Sequence, residues 1–323
     1  MKIGIVKEQS QNEYRVALVP STIQALSQQG HTILVEHNAG IQSGYPDSEY
    51  IENNAMVGNR QHVLSQAELI VAIDGSKICP FHTNQILLSY MALYQHQEIL
   101  QTMIEKQCTA IALENLQPLQ QAMQEIIGRT LVQIASQYFF QQGILLNSSH
   151  TLVIIGCNPD AARIALGIGM KVYMLDTHIE QLARIEERFQ GRIKTSYNNI
   201  YNAKQALSQA DLVIADTSYL PYMKPGSLLL TILETMHVQL SYKKQETIHT
   251  SIQDVFAHVP KTSSLVLSQI LLPYIQQIAN QGLNAILQIP ELYESLLVCQ
   301  GQITNKNLAN KIGMDYISPK III

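Results

Sequence analysis

The sequence has no apolar run long enough to cross a membrane. A membrane-spanning helix needs roughly 18 to 20 consecutive apolar residues, and the longest largely apolar runs, at residues 228–232 and 265–273, are much shorter. The first residues also lack the order of basic, apolar and small segments that forms a signal peptide. We therefore expect a cytoplasmic protein with no membrane as a partner.

Cysteine and positive charge are also scarce. The four cysteines lie far apart with no C-x-x-C pair, which predicts reduced, mostly buried thiols rather than disulfides or a zinc site. The ten histidines form neither H-x-x-x-H nor H-E-x-x-H, so no metal site is expected. The formal net charge is -4 and Lys and Arg are scattered, so nucleic acid is not an expected partner.

Short apolar segments alternate with amphipathic ones along the whole chain. With 323 residues and 46% hydrophobic content, the chain can bury the cores of two domains. The alternation predicts α/β architecture with parallel sheets. In the first half it predicts a helix over residues 20–29, a long amphipathic helix over 119–142, and strands over 2–6, 32–36, 69–73, 86–90 and 109–113.

The second half contains a strand–helix–strand unit with the outline of a dinucleotide site. The strands are predicted over 151–155 and 171–175, Gly156 follows the first, and Asp176 follows the second. In such units the glycine admits a pyrophosphate, the helix N-terminus attracts it, and the acidic residue binds ribose hydroxyls. Only the first glycine of G-x-G-x-x-G is present, and Asp160 would repel a phosphate. The spacing therefore leaves open a working nucleotide cleft or a unit that binds nothing.

Arg15 lies in a polar loop after the first predicted strand. Open α/β sheets bind ligands at the carboxyl ends of their strands, and a guanidinium can hold a small carboxylate with two parallel hydrogen bonds. For a lone arginine the alternative is an ordinary surface residue.

Several segments resemble the alanine dehydrogenase family, which includes the nucleotide-binding subunit of proton-translocating transhydrogenase. The similar segments are residues 1–8 (MKIGIVKE), 12–20 (NEYRVALVP), 30–31 with 35–36, 38–44, 123–129, 191–193, 223–226, 259–263 and 300–305. The resemblance implies a Rossmann-type doubly wound parallel sheet inserted into a second α/β substrate domain. Residues 1–127 would be the N-terminal part of the substrate domain, 128–264 the NAD-binding domain, and 265–323 the helices that return to the substrate domain.

The family resemblance also implies a reaction and its ligands. The reaction interconverts L-alanine and pyruvate plus ammonium, with NAD as the hydride carrier, in a homo-oligomer. Arg15 matches the family's substrate-binding arginine, and Lys77 is a substitute contact for an amino acid or 2-oxo acid. Asp176 favours NAD over NADP because it would repel a 2′-phosphate. The candidate cofactor-binding residues are Gly156, Asp176, Asn198, Thr217 and Ser218.

Three catalytic positions of the family are not matched. Asp74 stands where the family has lysine, Ala92 where it has histidine, and Thr235 where it has aspartate. Removing a general acid or base lowers a rate by roughly 10² to 10⁴. Two hypotheses follow: an alanine dehydrogenase-like oxidoreductase, or a catalytically inactive homologue that binds a nucleotide or a partner chain.

Overall fold

The chain is organised around two parallel sheets, each in its own unit. The computed structural model describes residues 1–79, 81–231, 248–250 and 252–323. Met1–Met123 and Val259–Ile323 form one unit, called unit 1 here, and Gln124–His258 form unit 2. The prediction of a two-domain α/β fold with parallel sheets is confirmed.

The strands are short and mostly apolar. In chain order they are β1 (Lys2–Ile5), β2 (Thr32–Glu36), β3 (Ala55–Gly58), β4 (Leu69–Asp74), β5 (Ile86–Tyr90), β6 (Thr109–Ala112), β7 (Thr151–Ile155), β8 (Lys171–Asp176), β9 (Lys194–Tyr197), β10 (Leu212–Ile214), β11 (Leu228–Leu230), β12 (Ile248–Thr250), β13 (Leu296–Cys299) and β14 (Gln302–Ile303).

The helices are α1 (Pro20–Ser27), α2 (Asp47–Glu52), α3 (Arg60–Gln66), α4 (Gln97–Glu105), α5 (Gln117–Gln141), α6 (Pro159–Gly167), α7 (Ile179–Phe189), α8 (Ile200–Leu207), α9 (Ile252–His258), α10 (Pro260–Gln281), α11 (Asn284–Gln288), α12 (Pro290–Ser295), α13 (Lys306–Ile312) and α14 (Pro319–Ile322). Within the described ranges, none of them is both long enough and apolar enough to span a membrane.

Both sheets have the strand order of a doubly wound fold. In unit 1 the order is β3-β2-β1-β4-β5-β6-β13-β14; the first six strands are parallel, and β13 runs antiparallel to both of its neighbours, β6 and β14. In unit 2 the order is β9-β8-β7-β10-β11-β12, all parallel. The order reverses between β1 and β4 and again between β7 and β10, and ligands bind beside such reversals, at the carboxyl ends of the strands.

Burial explains which strands the sequence predicts. All six residues of β4 are buried, as expected for a parallel strand covered on both faces, which gives a continuous apolar run. The edge strands β3 and β9 keep exposed or half-buried positions, and they were not predicted because they form no such run. The antiparallel strands β13 and β14 were also missed.

The cysteines are all free thiols, but only Cys108 and Cys299 are buried, whereas Cys79 and Cys157 are exposed. The expectation of mostly buried thiols is therefore wrong for two of the four. Cys157 is exposed because it belongs to the loop between β7 and α6, where no second layer covers it.

Helix α5 passes very close to the start of α6 at Gly128. A Cβ atom at position 128 would lie 2.5 Å from Oδ1 of Asn158 and 2.7 Å from the backbone nitrogen of Ala161. Real Cβ atoms do not approach other atoms that closely, so the packing of these two helices requires glycine here.

We therefore predict that Gly128→Ala lowers the free energy of unfolding by ~1–3 kcal/mol, because overpacking forces one helix to shift. Helix propensity alone would favour alanine by about 1 kcal/mol. The sign of the change in the free energy of unfolding therefore shows whether overpacking or helix propensity dominates. The matched control is Gly167→Ala at the end of α6, where a Cβ would meet nothing within 4 Å. Urea denaturation of both variants is the measurement. Equal or greater stability for Gly128→Ala would show that the helices do not pack this closely.

Candidate functional site

The carboxyl ends of β1 and β4, with the loop over residues 6–19, form a polar site that we call the unit 1 edge. The two strands are neighbours in the sheet, and the loop carries Glu8, Glu13 and Arg15. The Glu8 carboxylate accepts the backbone N–H of Ile73 at 2.6 Å and that of Asp74 at 3.0 Å. Glu8 thus fastens the loop after β1 to the end of β4.

Glu8 is an unusual acid because it is only 8% exposed. Burial raises its pKa from the ordinary 4.5 to about 7, although its two hydrogen bonds from backbone N–H groups oppose that shift. The nearby carboxylates of Glu13 and Asp74 add to the rise in pKa, because like charges disfavour ionisation.

Asp74 serves as a turn-capping residue at this edge. One carboxylate oxygen accepts the backbone N–H of Ser76 at 2.9 Å, which caps the short 3₁₀ turn Gly75–Lys77, and the other accepts the hydroxyl of Ser10. Asp74 is 4% exposed. Its carboxylate is therefore engaged by the protein at the position where the family resemblance places a lysine. Lys77, at the end of the turn, is exposed.

Arg15 is buried and held by Glu13. Its Nε and Nη2 donate to the two carboxylate oxygens of Glu13 at 2.7 and 2.5 Å, and Nη1 lies 3.8 Å from Sδ of Met123. With 7% exposure, Arg15 is not an ordinary surface arginine, and that alternative is wrong. The Glu13 carboxylate holds the pKa of Arg15 above its usual value, against the opposing effect of burial.

Tyr90, at the end of β5, belongs to the same neighbourhood. Burial raises the pKa of its hydroxyl to about 12, and the charge of Arg15 acts in the opposite direction. A hydroxyl of this kind stays protonated at neutral pH, so it can donate a hydrogen bond but cannot serve as a base.

Ala92 occupies a backbone position that few residues other than glycine adopt, with φ at +25°. One carboxylate oxygen of Glu114 accepts the N–H of Met91 at 3.4 Å and that of Ala92 at 3.3 Å. The other oxygen, Oε2, is buried without a hydrogen-bond partner among the described residues, and burial raises the pKa of Glu114. A methyl group at position 92 can neither transfer a proton nor satisfy that oxygen. Thr235, the third altered position, lies outside the described residues.

A polar cavity of about 510 Å³ opens beside Ala92 within unit 1. Lys311 lies there with its ammonium 4.3 Å from the centre of the Tyr94 ring. Neither Arg15 nor Asp74 is among its described lining residues, so the cavity is separate from the unit 1 edge. The lining consists of Ala92, Leu93, Tyr94, Glu114, Asn115, Gln117, Gln120, Glu294, Leu297, Asn305, Asn307, Leu308 and Lys311.

The predicted cofactor residues lie at the carboxyl ends of four neighbouring strands in unit 2. Gly156 follows β7, Asp176 ends β8, Asn198 follows β9, and Thr217 and Ser218 begin a 3₁₀ turn after β10. We call this group the unit 2 edge. Gly156 has φ at +97°, and no atom of the described residues lies within 4 Å of the place where a Cβ would be. The fold thus brings together the five residues that the sequence proposed for NAD.

Asp176 is held in place by a local turn. Its Oδ1 accepts the backbone N–H of His178 at 2.8 Å and lies 2.8 Å from Nδ1 of the same histidine. Asp176 is 8% exposed, whereas the His178 side chain is 70% exposed. A fixed carboxylate at the end of the second strand is the acceptor that a ribose diol requires.

The start of α6 does not fit a pyrophosphate. A phosphate at a helix N-terminus binds the first backbone N–H groups. Here Pro159 has no N–H, and the Asn158 side chain already accepts the N–H of Ala161 at 3.0 Å. Asp160 adds a carboxylate, which pairs with Arg163 at 2.8 Å. The residues present would hold the ribose of NAD but not its diphosphate.

Sequence reasoning missed Glu8, Glu13, Tyr90 and Glu114 as parts of these sites. The first two lie inside the segments that carry the family resemblance, so that resemblance could have drawn attention to them. Tyr90 and Glu114 have no such signal, because Tyr90 reads as the end of a buried strand and Glu114 as a polar residue between the strand predicted over 109–113 and the helix predicted over 119–142.

The strand order defines the chain as an α/β protein of two units, each with a doubly wound sheet. The model of the alanine dehydrogenase/PNT N-terminal domain matches residues 4–127, and that of the C-terminal domain matches residues 143–221 and 222–306. The chain belongs to the alanine dehydrogenase/PNT family, as the sequence segments predicted.

Individual relatives agree with this assignment. The chain is 31% identical to alanine dehydrogenase of Staphylococcus saprophyticus and 30% identical to that of Staphylococcus epidermidis, in both cases over 98% of each chain. Both aligned regions, of 363 and 365 positions, are longer than the 323 residues of this chain. This chain therefore lacks segments that those relatives have.

Solved structures show the same fold. An L-alanine dehydrogenase superimposes with a TM-score of 0.86 at 26% identity, covering 97% of this chain and 99% of that one. A transhydrogenase from Sinorhizobium meliloti superimposes with a TM-score of 0.77 at 18% identity, covering 95% of this chain and all of that one. The functions of Arg15, Lys77 and the unit 2 edge stay predictions.

The raised pKa of Glu8 predicts a pH dependence of stability. The unfolded chain releases this proton near pH 4.5, whereas the folded chain keeps it until about pH 7. Between these values the folded state binds more protons, so stability falls as the pH rises, by ~3 kcal/mol. The variant Glu8→Gln cannot titrate and should lack this component.

The test is urea denaturation of the wild-type protein and Glu8→Gln at pH values from 4.5 to 7.5. We expect the wild-type protein to lose stability relative to the variant as the pH rises, while the exposed control Glu52→Gln follows the wild-type protein. A constant difference between wild type and Glu8→Gln would show that Glu8 is ionised throughout.

Proposed function

We propose that this chain binds a small amino acid or 2-oxo acid at the unit 1 edge and does not carry out the NAD-dependent interconversion of L-alanine and pyruvate. The observation that carries this proposal is the hydrogen bonding of the Asp74 carboxylate. Its carboxylate accepts hydrogen bonds from Ser10 and Ser76, at the position where the family resemblance places a lysine on the substrate.

The chemistry of the reaction supports this proposal. Catalysis requires groups that stabilise charge where it develops in the transition state. A cation in place of Asp74 would stabilise negative charge on the substrate oxygen, whereas a carboxylate repels it. The methyl group of Ala92 removes the proton donor as well, and such a loss alone lowers rates by roughly 10² to 10⁴.

The properties of Arg15 support ligand binding. Its guanidinium is charged, buried and oriented by Glu13, at the point where the strand order reverses. Guanidinium groups bind carboxylates through paired charge-assisted hydrogen bonds, and burial strengthens such bonds. Glu13 occupies the Nε–Nη2 pair of Arg15 in this structure, so a ligand carboxylate would take the place of Glu13 on that pair. A small acid with a carboxylate is the ligand that this arrangement favours.

The family reaction itself, with NAD, is the second candidate function. It is favoured by the convergence of Gly156, Asp176, Asn198, Thr217 and Ser218 on one edge. Under either function we infer a cytoplasmic homo-oligomer, since the resemblance implies that family members assemble.

We predict no turnover when the purified chain is mixed with NADH, pyruvate and ammonium, or with NAD and L-alanine. The measurement is the absorbance of NADH, with alanine dehydrogenase of Staphylococcus saprophyticus assayed in parallel to show that the conditions support the reaction. Enzyme-dependent formation or consumption of NADH would contradict the proposal and favour the family reaction.

Pyruvate binding is the second half of the test. Calorimetric titration of the wild-type chain should give saturable binding of pyruvate or L-alanine, and Arg15→Lys should weaken it by about tenfold or more. Lysine keeps the positive charge beside Glu13, so the loop should stay folded. It loses the fork of N–H donors, so ligand binding should weaken. The control Arg129→Lys, at a partly exposed arginine of α5, should bind normally. Absence of binding to the wild-type chain would overturn this part of the proposal.

A further inference from the structure

We propose that the unit 2 edge is a site for an unphosphorylated nucleoside, with the ribose hydroxyls on Asp176, and that it rejects nucleotides that carry a 5′-phosphate. This inference goes beyond the proposed function, which concerns the unit 1 edge. It accounts for a site in which Asp176 can accept hydrogen bonds from ribose, whereas the start of α6 does not offer its N–H groups to a phosphate.

Asn158 and Pro159 close the start of α6 to phosphate. Asn158 is 7% exposed and uses its Oδ1 on the N–H of Ala161, so a phosphate would have to displace a buried cap. Pro159 removes one donor outright. The close approach of Gly128 to Asn158 and Ala161 leaves the cap no room to move aside.

The charges around this loop also disfavour an anion. Asp160, Asp176 and Asp216 all follow the carboxyl ends of strands of the unit 2 sheet. Arg163 is shared between Asp160, at 2.8 Å, and Glu125, at 3.0 Å. Arg188 lies over the Phe189 ring, 5.8 Å from its centre. Its positive charge lowers the pKa of the Cys157 thiol in this loop, so it opposes the effect of the three carboxylates. A phosphate here would therefore lie near carboxylates. The nearest ion-paired cation, Arg163, already binds Asp160 and Glu125.

The remaining features suit a sugar and a base. Tyr197 is the partner of Asp176 in the register of β8 and β9 and is 48% exposed, so the strand next to the ribose acceptor offers an accessible aromatic side chain. Bases stack on such rings without regard to sequence. The Asn198 amide, held at 3.1 Å from the Tyr219 hydroxyl, adds hydrogen-bonding capacity. The absence of a side chain at Gly156, with no described atom within 4 Å of its Cβ position, leaves room for the sugar.

The experiment is calorimetric titration of the full chain with adenosine, guanosine, cytidine and uridine, and with the matching 5′-monophosphates, 5′-diphosphates and NAD. We expect at least one nucleoside to bind saturably, and its 5′-phosphorylated forms to bind about tenfold more weakly or worse. The 2′,3′-dideoxy form of that nucleoside should lose binding. If no nucleoside binds, or if the phosphorylated forms bind equally well, the proposal is overturned.

Two variants test the assigned residues. Asp176→Asn should weaken nucleoside binding by about tenfold, whereas Asp315→Asn, at an exposed residue of unit 1, should not change it. The double variant Pro159→Ala with Asp160→Asn restores an N–H donor and removes a charge, so it should narrow the preference for the nucleoside over its diphosphate. An unchanged preference would contradict the role given to the α6 terminus. Because these titrations contain no 2-oxo acid, their failure leaves the proposed function of the unit 1 edge untouched.

Discussion

The hydrogen bonds between the Glu8 carboxylate and the backbone of β4 determine the geometry of the unit 1 edge. They join the loop after β1 to the end of β4, with the donors on β4. The Ser10–Asp74 hydrogen bond joins the same two segments with the donor on the loop. Arg15 lies on that loop, so its position depends on both connections. The same contacts make Asp74 a structural residue, because its two oxygens bind protein groups.

The two units differ in the residues that lie at the carboxyl ends of equivalent strands in their sheets. In unit 1 the loop after the first strand keeps a buried, oriented cation in Arg15, and the fourth strand ends in an acid. In unit 2 the loop after the first strand is short and is closed by the Asn158 cap, while the second strand keeps its acidic end, Asp176. In each unit a residue that we propose to bind a ligand lies near one that does not match the family resemblance, as binding without hydride transfer would require.

The sequence predicts the central strands and helices because their burial pattern is local. The six buried residues of β4 and the helical spacing in α5 need no knowledge of the rest of the fold. The edge strands β3 and β9 have too few buried positions to be recognised in this way. Arg15 and Asp176 could be predicted because their positions follow strand ends. The partners of Asp74 in the loop after β1 could not be predicted, since Ser10 and Glu8 reach it across 64 and 66 positions of the chain and only folding brings them together. The positive φ of Ala92 and the orphaned oxygen of Glu114 likewise depend on the folded backbone.

The most direct test of the central claim, binding without hydride transfer, uses NADH labelled with deuterium on the hydride carbon. The chain is incubated with labelled NADH, pyruvate and ammonium for many hours, and alanine is analysed by mass spectrometry beside an enzyme-free blank and an active alanine dehydrogenase. We predict deuterated alanine only in the reaction with the active enzyme. Deuterium in alanine from this chain above the blank would contradict the claim, because it would require hydride transfer despite Asp74 and Ala92.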